Sequence, residues 1–169
     1  SSANADPIDI DLNEFFFYSG DPVTISADGS SASIGEDPDY TAILLSNDPE
    51  FGDDEVIFAE VGGVGQILSF DYEFVEPAGN NDEFGAFVID AATGTSAGPA
   101  FEFSTYDSGS GQVSFDLSPL TGKTLGLQFQ LSALLGDSGL DTTVEVSNVQ
   151  LNPVPVPGAM LLAGLGLGT

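Results

Sequence analysis

The side chains of this 169-residue sequence that could do chemistry are almost all carboxylates: Asp and Glu total 27, Lys and Arg total 1, and His and Cys are absent. A nucleophilic triad needs a base beside Ser, Cys or Thr, and without His or Cys and with a single Lys that base is missing. Zinc sites are disfavoured for the same reason, since only carboxylates remain as strong ligands. A carboxylate pair, as in glycoside hydrolysis, is the one catalytic arrangement this composition permits. With so many acids some pair always stands at a suitable separation, so the pattern says nothing without geometry, and the expectation is a protein that is not an enzyme.

Hard cations suit these residues better. Calcium takes several carboxylate and amide oxygens from a turn, and three stretches supply them. Asp48, Glu50, Asp53, Asp54 and Glu55 crowd one loop; Asn80, Asn81, Asp82 and Glu83 occupy another beside Glu76; Asp137 and Asp141 bracket a Gly-containing turn. None has the spacing of an EF-hand loop, and the alternative reading of each is a solvated acidic loop. The formal net charge of -26 opposes compaction unless salt or a divalent cation screens it. It also excludes nucleic acid and anionic lipid as partners, because Lys123 is the only cation available to a phosphate.

Sugar binding by β-sandwich domains generally uses exposed aromatic platforms. The sequence has no Trp and four Tyr. Tyr72 falls on a core-facing parity, which leaves Tyr18, Tyr40 and Tyr106 to stack on a ring. Phe15-Phe16-Phe17-Tyr18 puts aromatic groups on both faces of its strand, either as an inter-sheet strand or as a subunit contact, with burial inside the sandwich as the alternative.

The elements that carry these residues alternate with period two. Leu68, Phe70, Tyr72 and Phe74 share one face against Ser69, Asp71 and Glu73. Leu125, Leu127, Phe129 and Leu131 do so against Gly126, Gln128, Gln130 and Ser132, and Val113, Phe115 and Leu117 against Ser114 and Asp116. Turn formers such as Asp28-Gly29 and Asp107-Ser108-Gly109 separate the runs. Many short strands at this spacing predict an all-β fold, a single antiparallel jelly-roll-like sandwich over residues 1–151. Val144 and Val146 share a face that Val149 and Leu151 rejoin only if a residue is inserted, which predicts a bulge near Ser147-Asn148. From Asn152 the composition shifts: NPVPVPG reads as an extended linker, and AMLLAGLGLGT is an uncharged tail of about a dozen residues, short of the ~20 that span a bilayer. Ser1 to Asp6 has neither a basic nor an apolar signal region, so the expectation is a processed start.

Val154-Pro155-Val156-Pro157, followed by the apolar run to Gly168, resembles the PEP-CTERM sorting signal, although the final basic cluster is missing and Val156 replaces the usual acidic residue. The body resembles the sandwich domain of such surface proteins through VTISADGSSASI, LSFDYEF, VSFDLSPLTGKTLGLQFQL and GDSGLDTTVEVSNVQL. The resemblance implies export, sorting by an exosortase, and a place at a bacterial cell surface or in extracellular matrix. The resulting expectation is a calcium-stabilised structural subunit that polymerises with copies of itself into a filament or tube. The docking segments would be Ile8, Ile10 and Leu12 of the N-terminal strand, and Val154, Pro155, Val156, Pro157, Leu161, Leu162, Leu165 and Leu167 of the tail. The alternative is a surface module that binds envelope or matrix polysaccharide and does not assemble.

Overall fold

The structure, a computed structural model, describes residues 6–47, 66–77, 80–133 and 139–153. Its strands are β1 (Ile8–Asp9), β2 (Val23–Ile25), β3 (Ser31–Gly35), β4 (Ala42–Ser46), β5 (Gln66–Val75), β6 (Glu83–Asp90), β7 (Thr95–Ser96), β8 (Glu102–Thr105), β9 (Gly109–Asp116), β10 (Leu125–Ser132) and β11 (Thr143–Pro153). Three short 3-10 turns are the only helical geometry among the described residues. The period-two patterns become two antiparallel sheets. One runs β2-β3-β11-β5-β9 with β1 also on β11; the other runs β4-β10-β6-β7 with β8 also on β6.

The alternation read from the sequence decides which side chains meet between the sheets. From the first sheet come Leu68, Phe70, Phe74, Val113, Phe115, Val144 and Val146; from the second come Ile43, Leu45, Phe84, Ala86, Val88, Leu127, Phe129 and Leu131, all buried. Tyr72 faces the same interior, with its ring 5.6 Å from Phe84 and 5.1 Å from Phe103. The predicted bulge is present: β11 pairs with β5 in one register up to Ser147 and resumes at Gln150 in another. Asn148 sits there at φ 51, and Val149 and Leu151 return to the core. The bulge also divides the other edge of β11, which pairs with β3 before it and with β1 after it.

Strand pairing runs past the expected boundary at residue 151, because Asn152 and Pro153 still pair with Ile67 and Gln66. At the N-terminus β1 pairs with β11 of its own chain, and Ile10 and Leu12 are buried in its own core. Ile8 alone of the three is exposed. The tail from Val154 to Thr169, with Pro155, Val156, Pro157, Leu161, Leu162, Leu165 and Leu167, lies outside the described residues.

The β2–β3 connection shows how tightly the N-terminal segment is held. The Leu12 N–H donates to the Gly29 carbonyl at 2.9 Å. Gly29 has φ +70, and a Cβ there would stand 1.7 Å from Asp11 Oδ1. Gly29→Ala therefore combines a left-handed backbone with a direct clash. It is expected to cost more than about 1 kcal/mol of stability in urea unfolding.

Candidate functional site

Burying one face of each sheet leaves much of the other face to solvent, with Ser46 and Ile89 of the second sheet covered, and the two outer faces differ in chemistry. On the first sheet most outward residues are polar, and several of them bind one another. Gln112 Nε2 and Asn148 Nδ2 donate to the two Asp71 carboxylate oxygens at 3.0 and 2.7 Å, Gln150 Nε2 donates to Asp9 Oδ1 at 2.7 Å, and Asn152 Nδ2 to Ser69 Oγ at 2.8 Å.

The outer face of the second sheet carries rings as well as amides. Phe16 bridges Ser46, Ser46 is opposite Gln128, Gln128 is opposite Phe87, and Phe87 is opposite Glu102. Paired residues share a face, so these five form one row across the strands. With neighbouring strands ~4.8 Å apart, the row is roughly 19 Å long. Beside it runs a second row, Leu44, Gln130, Gly85 and Ser104, and at the far end Glu83 stands opposite Ser132.

Gly85 shapes this face. A Cβ at that position would come within 2.8 Å of Phe87 Cε2 and Cζ, so the ring lies along its own strand over the glycine. It forms a flat apolar platform beside Gln128 and Gln130. Gln128 Nε2 donates to Gln130 Oε1 at 3.4 Å, and Gln130 Nε2 to Ser132 Oγ at 2.6 Å. These bonds occupy only part of the capacity of two amides, each with two donor hydrogens and an acceptor oxygen. At one end of the long row Phe16 meets Tyr18 edge to face, with centroids 5.1 Å apart. At the other end of the sheet the Tyr106 hydroxyl donates to Glu83 Oε2 at 2.9 Å, which holds the phenol pKa above its usual 10.0. A face of flat rings flanked by amides, hydroxyls and carboxylates can stack on apolar sugar faces and bond the equatorial hydroxyls around them.

Of the aromatic residues expected to bind sugar, Tyr18 and Tyr106 flank this face and are exposed. Tyr40 is exposed on the Asp37–Tyr40 turn. The run Phe15 to Tyr18 divides as its parity requires: Phe15 is buried, with its ring stacked 6.3 Å from Phe129, and Phe17 packs on the core. Phe16 takes the opposite side. The sequence reading missed Phe87, Gln128 and Gln130 as site residues. Their signals were an outward-parity Phe two positions after a Gly, and two outward Gln in LQFQL.

The candidate cation ligands fall partly within view. The clusters around Asn80 and Asp141, far apart in sequence, converge: Asn80 Nδ2 donates to Asp141 Oδ1 at 3.1 Å, and the Asn81 N–H donates to Glu76 Oε1 at 2.5 Å. Next to them Thr142 joins two buried acids, donating from Oγ1 to Asp82 Oδ2 at 2.5 Å and from its N–H to Glu36 Oε2 at 2.8 Å. Among the described residues no three acidic side chains stand close enough together to hold a metal ion. Asp48, Glu50, Asp53, Asp54, Glu55 and Asp137 lie outside the described residues.

Comparison with solved structures gives the fold. The Caldicellulosiruptor saccharolyticus CBM27-1, solved in complex with mannohexaose, matches with a TM-score of 0.50 and 13% identity over 90% of this chain and 100% of that one. The carbohydrate-binding module TmCBM27, described for specific mannan recognition, matches with a TM-score of 0.46 and 9% identity over 90% and 98% of the two chains. The chain is a jelly-roll-like β-sandwich. No family model and no curated protein sequence matches it.

A cleft of 410 Å³ lies beside the bulge, between Asp9, Asp11, Asp28 and Asn148. Asp28 is committed to its own turn: its Oδ1 accepts from the Ser30 hydroxyl and N–H and from the Ser26 hydroxyl, which lowers its pKa from 3.8 to about 2. A folded-state pKa below the unfolded value stabilises the fold above pH 3.8, and that contribution fades as pH falls through about 2. An NMR titration of the Asp28 carboxyl should therefore give a midpoint near 2, and Asp28→Asn should weaken the acid dependence of stability across that window.

Proposed function

We propose that this protein is a non-catalytic carbohydrate-binding surface module that holds a glycan on the outer face of the β4-β10-β6-β8 sheet. The observation that carries this reading is the cross-strand row from Phe16 through Ser46, Gln128 and Phe87 to Glu102, with the Phe87 ring laid over Gly85. The likeness to a module solved with mannohexaose supports it at the level of the fold. The PEP-CTERM-like segment after Pro153 fits export and exosortase sorting, with the sandwich displayed at a cell surface or in matrix. The self-assembly reading is left with less support, because Ile10 and Leu12 serve the chain's own core.

Phe87→Ala is expected to lower affinity for a bound glycan at least about ten-fold, with mannohexaose as the first probe in isothermal titration calorimetry. Gly85→Ala should do the same with Phe87 still in place, because the added methyl displaces the ring. Unchanged affinity in both folded variants would move the site elsewhere.

Calcium belongs to the same proposal. Asp82, joined through Thr142 to Glu36, and Asp141, bonded to Asn80, supply two pairs of side chains with the oxygen donors that hard cations prefer, which waters could complete. A cation bound there would offset two buried carboxylates in a chain that has almost no positive charge. Calcium should then raise the thermal midpoint by several degrees over chelator-treated protein, and Asp82→Asn should remove the difference. Equal midpoints with calcium and with chelator would refute the site.

A further inference from the structure

We infer that the outer face of the β4-β10-β6-β8 sheet selects uncharged glycan chains and rejects polyuronates and sulfated glycans. The inference rests on the glycan-binding reading and deepens it by fixing the class of ligand.

Recognition of a carboxylate or sulfate needs Arg or Lys, or a set of backbone N–H groups aimed at the anion. Among the described residues this face carries no basic side chain and no row of N–H groups aimed outward from its central strands. Lys123 is the chain's only basic side chain, and the Nζ is held 2.5 Å from Asp90 Oδ2. The two central strands under the platform hold their N–H groups in ladders on both sides. β10 is paired on both sides, with β4 and β6, and β6 with β10 on one side and with β7 and β8 on the other. Their N–H groups therefore lie in the sheet plane and are spent on the ladders.

What the face does present is neutral or negative. Gln128, Gln130, Ser132 and Ser104 offer uncharged donors and acceptors, matched to hydroxyl groups. Glu102 ends the long row, and Glu83 stands at the other end of β6. A polyuronate laid along the row would bring repeated like charge within a Debye length of these carboxylates, ~8 Å at physiological ionic strength, against a chain of net charge -26. A neutral chain pays no such penalty, so charge sets specificity here while stacking sets affinity.

The experiment uses matched polymers on the intact chain. A neutral glucomannan or cellulose derivative that binds is compared with its carboxymethylated and sulfated forms, and its hydroxyethyl form controls for substituent bulk. At low salt the charged forms should bind at least about ten-fold more weakly than the hydroxyethyl form, and the gap should narrow at high salt. Affinity for the neutral chain should barely change with salt, and Glu102→Lys should recover binding of the carboxymethylated chain. Charged forms that bind as tightly as their neutral parent at low salt would overturn the inference while leaving the glycan site intact. A folded protein that binds none of the polymers would overturn the glycan-binding reading itself.

Discussion

The ring of Phe129 is where the two sheets are joined, and the rest of the molecule depends on that contact. It lies 6.3 Å from Phe15, 5.0 Å from Phe70 and 6.5 Å from Phe84, so the N-terminal segment, β5 and β6 all meet on one side chain of β10. Cohesion has to come from such packing. The chain has no cysteine to form a disulfide and one lysine to form an ion pair, and its acidic surface pushes outward. Apolar area removed from water between the inner faces is the term large enough to oppose that repulsion.

Once the inner faces are spent on each other, function has to reside on the outer ones or in the loops. The two outer faces have been used differently. That of the β2-β3-β11-β5-β9 sheet ties several of its polar groups to one another, as when Asp71 takes both Gln112 and Asn148. That of the second sheet keeps flat apolar rings next to amides with spare bonding capacity. Gly85 makes the difference locally, since any side chain there would lift Phe87 off the sheet.

Parity made most of the fold legible from the residues alone. Leu68, Phe70, Val113, Phe115 and Phe129 are buried as their alternation requires, and the break in alternation after Val146 located the bulge at Asn148. What parity does not show is which strands are neighbours. The row from Phe16 to Glu102 draws on an extended segment, three strands of the sheet and a fourth beside them, so no local pattern could assemble it. The same limit applies to Asn80 and Asp141, which looked like separate loops and share a hydrogen bond. The prolines after Leu151 suggest a linker, yet Pro153 closes a strand whose last partner is Gln66. A proline at a strand's final position gives up little ladder pairing.

β11 has a further consequence for the order in which the molecule is made. It lies in the middle of its sheet, between β3 and β1 on one side and β5 on the other, yet in sequence it follows every other described strand of the sandwich. Until residue 153 emerges, β3 and β5 have no central partner and Asp9 has no Gln150 to pair with. The nascent sandwich therefore lacks the keystone of one sheet until β11 emerges. Closure of that sheet waits for β11, and a product that stops short of it is left with open edges.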